Sequence, residues 1–150
     1  MDNRNKNVRI WYLSGGMTKF GKEEFEKSNS WRTDIKEQIE KMSEGYITAF
    51  NPNEHYSMLS DPEDYSDREV MNLDIYKLRQ SELVIYNNND SLSCGSMIEL
   101  GIAWERRIPI FVLNEDRYNI HPWVRCFAEY MFCDREDMMK YLSEHYIWRD

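Results

Sequence analysis

The sequence lacks the features of several large protein classes. It has three cysteines in 150 residues, Cys94, Cys126 and Cys133, and none of them form a Cys-x-x-Cys pair. An odd, unpatterned set indicates free thiols in a reducing compartment. No apolar run approaches the roughly 20 residues that span a membrane. The polar residues 1–7 lead into a predicted strand, unlike a signal peptide. We therefore expect a cytoplasmic protein that does not bind membranes.

Basic residues are also scarce. Lys and Arg number 19 against 27 Asp and Glu, which gives a net charge of −8. Such a surface repels a nucleic-acid backbone, and no basic run with interleaved aromatics offsets the repulsion. A helix N-terminus can still bind one phosphate locally. The composition therefore disfavours nucleic-acid polymers as partners but permits a single nucleotide.

Several catalytic and cofactor motifs are missing as well. The sequence contains no Gly-x-Ser-x-Gly elbow of serine hydrolases, no phosphate loop of NTPases and no Gly-x-Gly-x-x-Gly dinucleotide fingerprint. The three histidines, His55, His121 and His145, do not have the spacing of metal ligands. We therefore expect no metal site.

What is present is the pattern of one globular α/β domain over residues 1–150. Apolar residues make up 41% and aromatic residues 14% of the chain, which is typical of a folded domain. Short strands are predicted at 8–13, 46–50, 83–86, 109–113 and 131–133. Helices are predicted from 28 or 30 to 42 and at 66–79, 95–106, 122–130 and 136–145. This alternation predicts a doubly wound, parallel, five-stranded sheet with helices on both faces.

Ligands of open α/β sheets bind beyond the carboxyl ends of the strands. The first predicted strand ends in Tyr12, Ser14, Gly15 and Gly16. The paired glycines permit a tight turn or a close approach of ligand. The third strand ends in a polar loop over 87–95 that leads into a helix. These segments are the candidate site.

Each candidate side chain also has a plainer interpretation. Ser93, Gly95 and Ser96 form a cup suited to an anion, or an ordinary helix cap. Glu99 lies one turn into the helix and points back toward the cup, or it complements the helix dipole. Asp74 is a functional acid or a solvated helix residue. Tyr12 is a functional hydroxyl or a core aromatic.

Together these residues resemble the nucleoside 2-deoxyribosyltransferase family, which includes deoxynucleoside 5′-monophosphate N-glycosidases. The resemblance rests on Tyr12-Leu-Ser-Gly-Gly-Met17, on Asp74 and on Gly95-Ser-Met-Ile-Glu-Leu-Gly-Ile-Ala103, and it covers residues 8–113. It implies a flavodoxin-like fold and a retaining double displacement at the N-glycosidic bond. It further implies nucleosides or nucleotides and nucleobases as small-molecule partners, and no metal or organic cofactor.

The resemblance also implies a role for each matching residue. Glu99 matches the nucleophile that forms a covalent deoxyribosyl intermediate, and Tyr12 matches the tyrosine that orients it. Asp74 matches the aspartate that delivers a proton to the departing base. An oxocarbenium-like transition state needs such an ionised carboxylate and a nearby proton donor. The alternative is a non-catalytic nucleotide-binding or sensor protein on the same scaffold.

One position departs from the nucleoside-specific members. They typically carry an aspartate six residues before the nucleophile, where it holds the sugar 5′-hydroxyl, and here that position is Ser93. A serine resembles the nucleotide-cleaving branch, because a hydroxyl attracts the 5′-phosphate that a carboxylate repels. Asp90 substitutes for the missing acid if the loop folds back, so both branches remain open.

Family members assemble as dimers or larger oligomers, in which a loop after the fourth strand completes the neighbour's site. The resemblance therefore implies a homodimer or larger homo-oligomer, with His121 and Trp123 as residues contributed to the neighbour. The plainer interpretation is a helix that starts at Pro122 with Trp123 in the core.

Overall fold

The computed structural model describes residues 8–16, 22–54, 67–89 and 93–148. Within these residues, five parallel strands form one sheet in the order β2-β1-β3-β4-β5. The strands are β1 (Arg9–Gly15), β2 (Ile47–Phe50), β3 (Leu83–Asn87), β4 (Ile110–Leu113) and β5 (Ala128–Phe132). This order is the flavodoxin-like doubly wound arrangement, so the predicted fold class is confirmed.

Helices cover both faces of the sheet. They are α1 (Lys22–Met42), α2 (Asp67–Arg79), α3 (Cys94–Glu105), α4 (Pro122–Phe127) and α5 (Arg135–Leu142), and a π-helical turn (Ser143–Ile147) follows. Because side chains alternate along a strand, Trp11 and Leu13 enter a core with α1 and α5, whereas Tyr12 enters a core with α2, α3 and α4. Tyr12 therefore lies on the face that also carries Asp74 and Glu99.

The chain changes direction across the sheet at β1. β1 pairs with β2 on one side and with β3 on the other. The chain therefore adds β2 on one side of β1 and the later strands on the other side. The carboxyl ends of β1 and β3 flank this switch point, where doubly wound folds bind ligands.

Some predicted boundaries were wrong. Helix α1 begins at Lys22 rather than at residue 28 or 30, because the charged residues before Trp31 include good helix formers. Helix α4 ends at Phe127, and β5 begins at Ala128 instead of residue 131. Its pairing with β4 shifts register between Ile110 and Phe111, and this bulge absorbs one extra strand residue.

Candidate active site

The predicted catalytic residues meet at the switch point. Tyr12 and Ser14 come from β1, Asp74 from the middle of α2, and Glu99 from the second turn of α3. The Ser14 hydroxyl donates a hydrogen bond to Glu99 Oε1 at 3.3 Å. Residues on three different elements therefore converge on one carboxylate.

Glu99 is a largely buried carboxyl group with one free oxygen. Burial raises its pKa, whereas hydrogen bonding from Tyr12, the charge of Arg32 and the Ser14 hydroxyl lower it. Its Oε2 is buried and has no hydrogen-bond partner among the described residues. A carboxylate held in this way has one oxygen fixed and the other available for attack on an electrophile.

Tyr12 supplies a buried phenol beside this carboxylate. Its side chain is fully buried, and its ring centroid lies 5.4 Å from that of Phe50. Burial and the charges of Glu99 and Asp74 raise its pKa well above 10.0, so the phenol stays neutral and can donate. Its hydroxyl has no partner of standard geometry among the described residues, although it lies near enough to Glu99 to favour the ionised carboxylate.

Asp74 is not the solvated helix residue of the plainer interpretation. It is partly buried, and its Oδ1 has no hydrogen-bond partner among the described residues. Burial and then the charge of Glu99 raise its pKa from 3.8 to about 7, against the lowering effect of Arg32. The site thus contains a carboxyl group that exchanges its proton near neutral pH.

Arg32 is a further member of the site, and the sequence reasoning missed it. It lies on α1, is 1% exposed, and donates from Nη2 to the Gly15 carbonyl at 2.8 Å. Burial lowers its pKa to about 10, against the charges of Glu99, Tyr12 and Asp74. One signal was available, because position 32 lies on the same helical stripe as the buried Ile35 and Ile39. We call Tyr12, Arg32, Asp74 and Glu99 the site cluster.

The two glycines after Ser14 have different surroundings. A Cβ on Gly15 would lie 2.9 Å from Trp31 Cζ2, so Gly15 is required for the approach of α1. The Gly16 amide donates to Asn89 Oδ1 at 2.9 Å. Asn89, which sequence reasoning also missed, therefore ties the end of β1 to the loop after β3.

Ser93 is the N-cap of α3, as its plainer interpretation predicted. Its hydroxyl accepts from the Ser96 amide at 3.4 Å and donates to the Ser96 hydroxyl at 3.0 Å. Among the described residues, nothing lies within 4 Å of a Cβ added to Gly95. Asp90 lies outside the described residues.

His121 and Trp123 lie at the start of α4 and outside the site cluster. His121 Nδ1 accepts from the Trp123 amide at 3.1 Å and so caps the helix at Pro122. Trp123 is 70% exposed, so the plainer interpretation that places it in the core is wrong. With Met97, Val124 and Phe127 these residues line an apolar cavity of about 420 Å³.

A larger depression, of about 740 Å³, lies away from the site cluster beside α5. Its lining includes Glu115 and Arg135, which pair at 2.8 Å. Exposed ion pairs of this kind are common on surfaces, and we assign no chemistry to it. Among the described residues, no His, Cys, Asp and Glu side chains form a group that could hold a metal ion. No described helix is long and apolar enough to cross a bilayer.

Solved structures share this fold. A 2-deoxyribosyltransferase from Bacillus psychrosaccharolyticus is 18% identical with a TM-score of 0.67, over 88% of this chain and 91% of that one. A CMP N-glycosidase from Clostridium botulinum is 17% identical with a TM-score of 0.62, over 91% and 99%. A conserved protein from Enterococcus faecalis V583 is 16% identical with a TM-score of 0.71, over 91% and 98%.

The two sequence comparisons gave different results. No curated protein matches the chain at a significant level. The profile of the family described as nucleoside 2-deoxyribosyltransferase matches residues 12–143, a range that includes Tyr12, Asp74 and Glu99. Most of the chain, with the whole switch-point site, is thus covered, and the protein belongs to the nucleoside 2-deoxyribosyltransferase family.

Proposed function

We propose that the protein cleaves the N-glycosidic bond of 2′-deoxynucleosides or their 5′-monophosphates by a retaining double displacement. The sugar is transferred to another nucleobase or to water. The observation that carries this proposal is the unequal pair of carboxyl groups in the site cluster. Burial raises the pKa of Glu99, while hydrogen bonding from Tyr12, the charge of Arg32 and the Ser14 hydroxyl oppose this rise. Burial and then the charge of Glu99 raise the pKa of Asp74 to about 7, which makes Asp74 the acid of the pair. Such a pair assigns a nucleophile and an acid.

In the first half-reaction, a carboxylate oxygen of Glu99 attacks C1′ of the sugar. The C1′–N bond breaks, its electron pair goes to the base, and the base takes the proton of Asp74. A glycosyl ester on Glu99 and a neutral base result. The Oε2 atom of Glu99 supports this step, because no described residue lies in standard hydrogen-bond geometry to it.

In the second half-reaction, an acceptor base or a water molecule attacks C1′ from the opposite face. The acceptor gives up a proton to the Asp74 carboxylate, and the ester bond breaks with its electron pair returning to Glu99. Two inversions give net retention. A group with a pKa near 7 suits both the donation and the return of the proton.

Tyr12 and Ser14 hold the nucleophile in place. Ser14 donates to Oε1 of Glu99, and the neutral Tyr12 phenol lies beside the same carboxylate. Both are buried side chains of β1, so their positions are fixed by the sheet. Because the Glu99 carboxylate is already held in place, it loses little conformational freedom when it attacks C1′.

The 5′ end of the substrate is assigned to the start of α3. At the start of α3, Ser93 is the N-cap, Gly95 is exposed and Ser96 is buried. A helix start suits an anion, and we assign Ser14, Gly15 and Gly16 at the carboxyl end of β1 to the same group. A CMP N-glycosidase among the structural neighbours acts on a nucleotide, and a 2-deoxyribosyltransferase is also among them. The serine at position 93 favours the monophosphate, and Asp90 remains the alternative contact for a 5′-hydroxyl.

We also propose that the active form is a homodimer or larger homo-oligomer. Trp104 and Trp123 are exposed, large and apolar, and both lie beside Phe127; contiguous apolar surface of this kind marks protein contacts. His121 and Trp123 would then reach a neighbouring copy. Light scattering after size exclusion tests this proposal, and a monomer at working concentration would contradict it.

The reaction is tested by incubating the protein with deoxynucleosides, their 5′-monophosphates and the matching ribonucleotides, with and without an acceptor base. Chromatography should show released base, or a new nucleoside when the acceptor is present. Mass spectrometry of quenched enzyme should show one deoxyribose or deoxyribose phosphate on the peptide that contains Glu99. Tight nucleotide binding without any base release would indicate the non-catalytic binding protein instead.

A further inference from the structure

Arg32 reaches the site cluster from the opposite side of the sheet. Helix α1 packs with Trp11 and Leu13, whereas Tyr12, α2 and α3 pack on the other face. Arg32 nevertheless acts electrostatically on Tyr12, Asp74 and Glu99. Its side chain therefore extends past the carboxyl end of β1 and links the two faces there.

Gly15 makes this passage available. The last residue of β1 has no side chain, and a Cβ there would lie 2.9 Å from Trp31 Cζ2 and 3.4 Å from Arg32 Nη2. The Arg32 guanidinium carbon lies 4.6 Å from the centroid of the Trp31 ring, within cation–π range. Trp31 and Gly15 thus form a slot that holds the guanidinium against the end of the strand.

A guanidinium in such a slot requires compensation, because burying a charge is costly unless it is paired. The Gly15 carbonyl accepts one hydrogen bond from Nη2. The groups that favour its charge are Glu99, Tyr12 and Asp74. Part of the compensation thus comes from the groups assigned to the reaction, so the arginine and the reactive carboxylates stabilise one another.

We propose that Arg32 is a positioning residue: its bond to Gly15 fixes the strand end that carries Tyr12 and Ser14, and its buried charge favours the carboxylate form of Glu99. This inference rests on the proposed function for its kinetic measurement, but its electrostatic part concerns the free protein. Arg32 needs no contact with the substrate for this role.

Among the described residues, the charged or titratable groups of the site cluster come from four different elements. Tyr12 faces Glu99 from β1, Asp74 from α2 and Arg32 from α1. Arg32 lowers the pKa of both carboxyl groups. Without its charge, both pKa values rise. The acid limb of the pH profile of kcat/KM, which Glu99 sets, and the alkaline limb, which Asp74 sets, therefore both move to higher pH.

The test compares Arg32→Gln and Arg32→Lys with wild type over a range of pH. In Arg32→Gln, we expect kcat/KM to fall about tenfold more on the acid side than near pH 8, because one pKa unit is tenfold in protonation. Arg32→Lys keeps the charge and should restore both limb positions. Arg9→Gln is the control, because Arg9 is a half-buried arginine at the other end of the sheet, and its loss should leave both limbs unmoved.

A second measurement separates this inference from the proposed function. Carboxyl ¹³C NMR titrations of ligand-free wild type and Arg32→Gln, assigned with Glu99→Gln, report the Glu99 pKa without turnover. If wild type is inactive but the Glu99 pKa is higher in Arg32→Gln than in wild type, the role of Arg32 is supported and the proposed function is overturned. Active enzyme whose limbs and Glu99 titration do not move in Arg32→Gln would overturn the role of Arg32. If Arg32→Gln does not fold, Arg32→Lys decides, because displaced limbs with the charge retained also contradict the inference.

Discussion

The two ends of the parallel sheet carry similar side chains in opposite states. At the amino end, Arg9 Nε pairs with Glu82 Oε1 at 2.6 Å, and Trp11 Nε1 donates to Glu82 Oε2 at 3.1 Å. Arg9 also donates from Nη1 to the Ile147 carbonyl at 2.6 Å and from Nη2 to the Tyr146 carbonyl. We call Arg9, Trp11 and Glu82 the amino-end network. Both oxygens of its carboxylate are bonded.

At the carboxyl end, the site cluster also combines an arginine, an aromatic residue and carboxyl groups. Here the Tyr12 hydroxyl, Asp74 Oδ1 and Glu99 Oε2 are buried without hydrogen-bond partners among the described residues. Buried polar atoms are rarely left in this state, because the desolvation cost is not recovered. We infer from this difference that the amino-end network stabilises the fold, whereas Tyr12, Asp74 and Glu99 keep polar atoms for a ligand.

The largest expected effect separates two carboxylates at the two ends. Glu99→Gln should fold normally and lose at least about a hundredfold in kcat/KM, because an amide cannot supply the anionic nucleophile. The matched variant Glu82→Gln should lose stability and keep its kcat/KM. Steady-state kinetics with a deoxynucleotide and thermal melts of both variants check the pair. Normal turnover by folded Glu99→Gln would remove Glu99 from the nucleophile role.

The second-largest expected effect is a loss of stability at the amino end without a loss of activity. Arg9→Gln should lower the free energy of unfolding by about 2–3 kcal/mol, because it breaks a charged pair and leaves the Tyr146 and Ile147 carbonyls without their donor. Urea unfolding measures this change, and kcat/KM below the transition should match wild type. A catalytic defect without lost stability would show that the two ends are not separate in function.

The sequence predicted more of the fold than of the site's electrostatics. The strands were recognisable because Trp11, Val84 and Phe111 lie in short β-branched and aromatic runs with flanking turns. The residues Tyr12, Asp74 and Glu99 were identified by their resemblance to a family, and their convergence follows from the strand order. Their roles remain predictions.

What was missed depends on tertiary contacts. Arg32 interrupts an apolar stripe, but only the approach of α1 to Gly15 explains why an arginine is tolerated there. The role of Asn89 depends on its hydrogen bond with the Gly16 amide, which is 73 residues away in the sequence. For Trp123, the sequence left open a contact with a neighbouring copy or a place in the core, and its exposure at the start of α4 excludes the core.

A smaller effect tests how the carboxyl end binds the 5′ group. Ser93→Asp should reverse a preference for monophosphates over nucleosides, because a carboxylate repels phosphate and accepts from a 5′-hydroxyl. A charge-assisted hydrogen bond of about 1.5–3 kcal/mol corresponds to roughly tenfold to a hundredfold in kcat/KM. The measurement is kcat/KM for a deoxynucleoside and its 5′-monophosphate on both proteins.

Ser93→Asn is the control for this substitution. Asparagine and aspartate are both good N-cap residues, so both variants keep the start of α3, and only aspartate adds a charge. If wild type prefers the free nucleoside and neither variant changes that, Ser93 is only the helix cap. Asp90 would then be the next residue to substitute.

The smallest expected effect is a gain of stability at the carboxyl end. Folding raises the pKa of Asp74 from 3.8 to about 7, so the native state binds more protons than the unfolded state between these values. Asp74 therefore destabilises the fold increasingly as pH rises from about 4 to 7, and its effect is constant above that range. Asp74→Asn removes this penalty. We expect a gain of about 1–2 kcal/mol near pH 8 and almost none near pH 4, after allowing for the partial exposure of Asp74.

Urea unfolding at both pH values measures the gain, alongside Asp34→Asn as a control. The Asp34 side chain is 60% exposed, and its substitution should change stability by less than about 0.5 kcal/mol at either pH. Asp74→Asn should lose activity at the same time, because asparagine has no acidic proton for the departing base. A variant more stable at alkaline pH but less active would show that Asp74 trades stability for chemistry, unlike the amino-end network. Equal stability of Asp74→Asn and wild type at every pH would contradict the raised pKa and leave the proton donor unassigned.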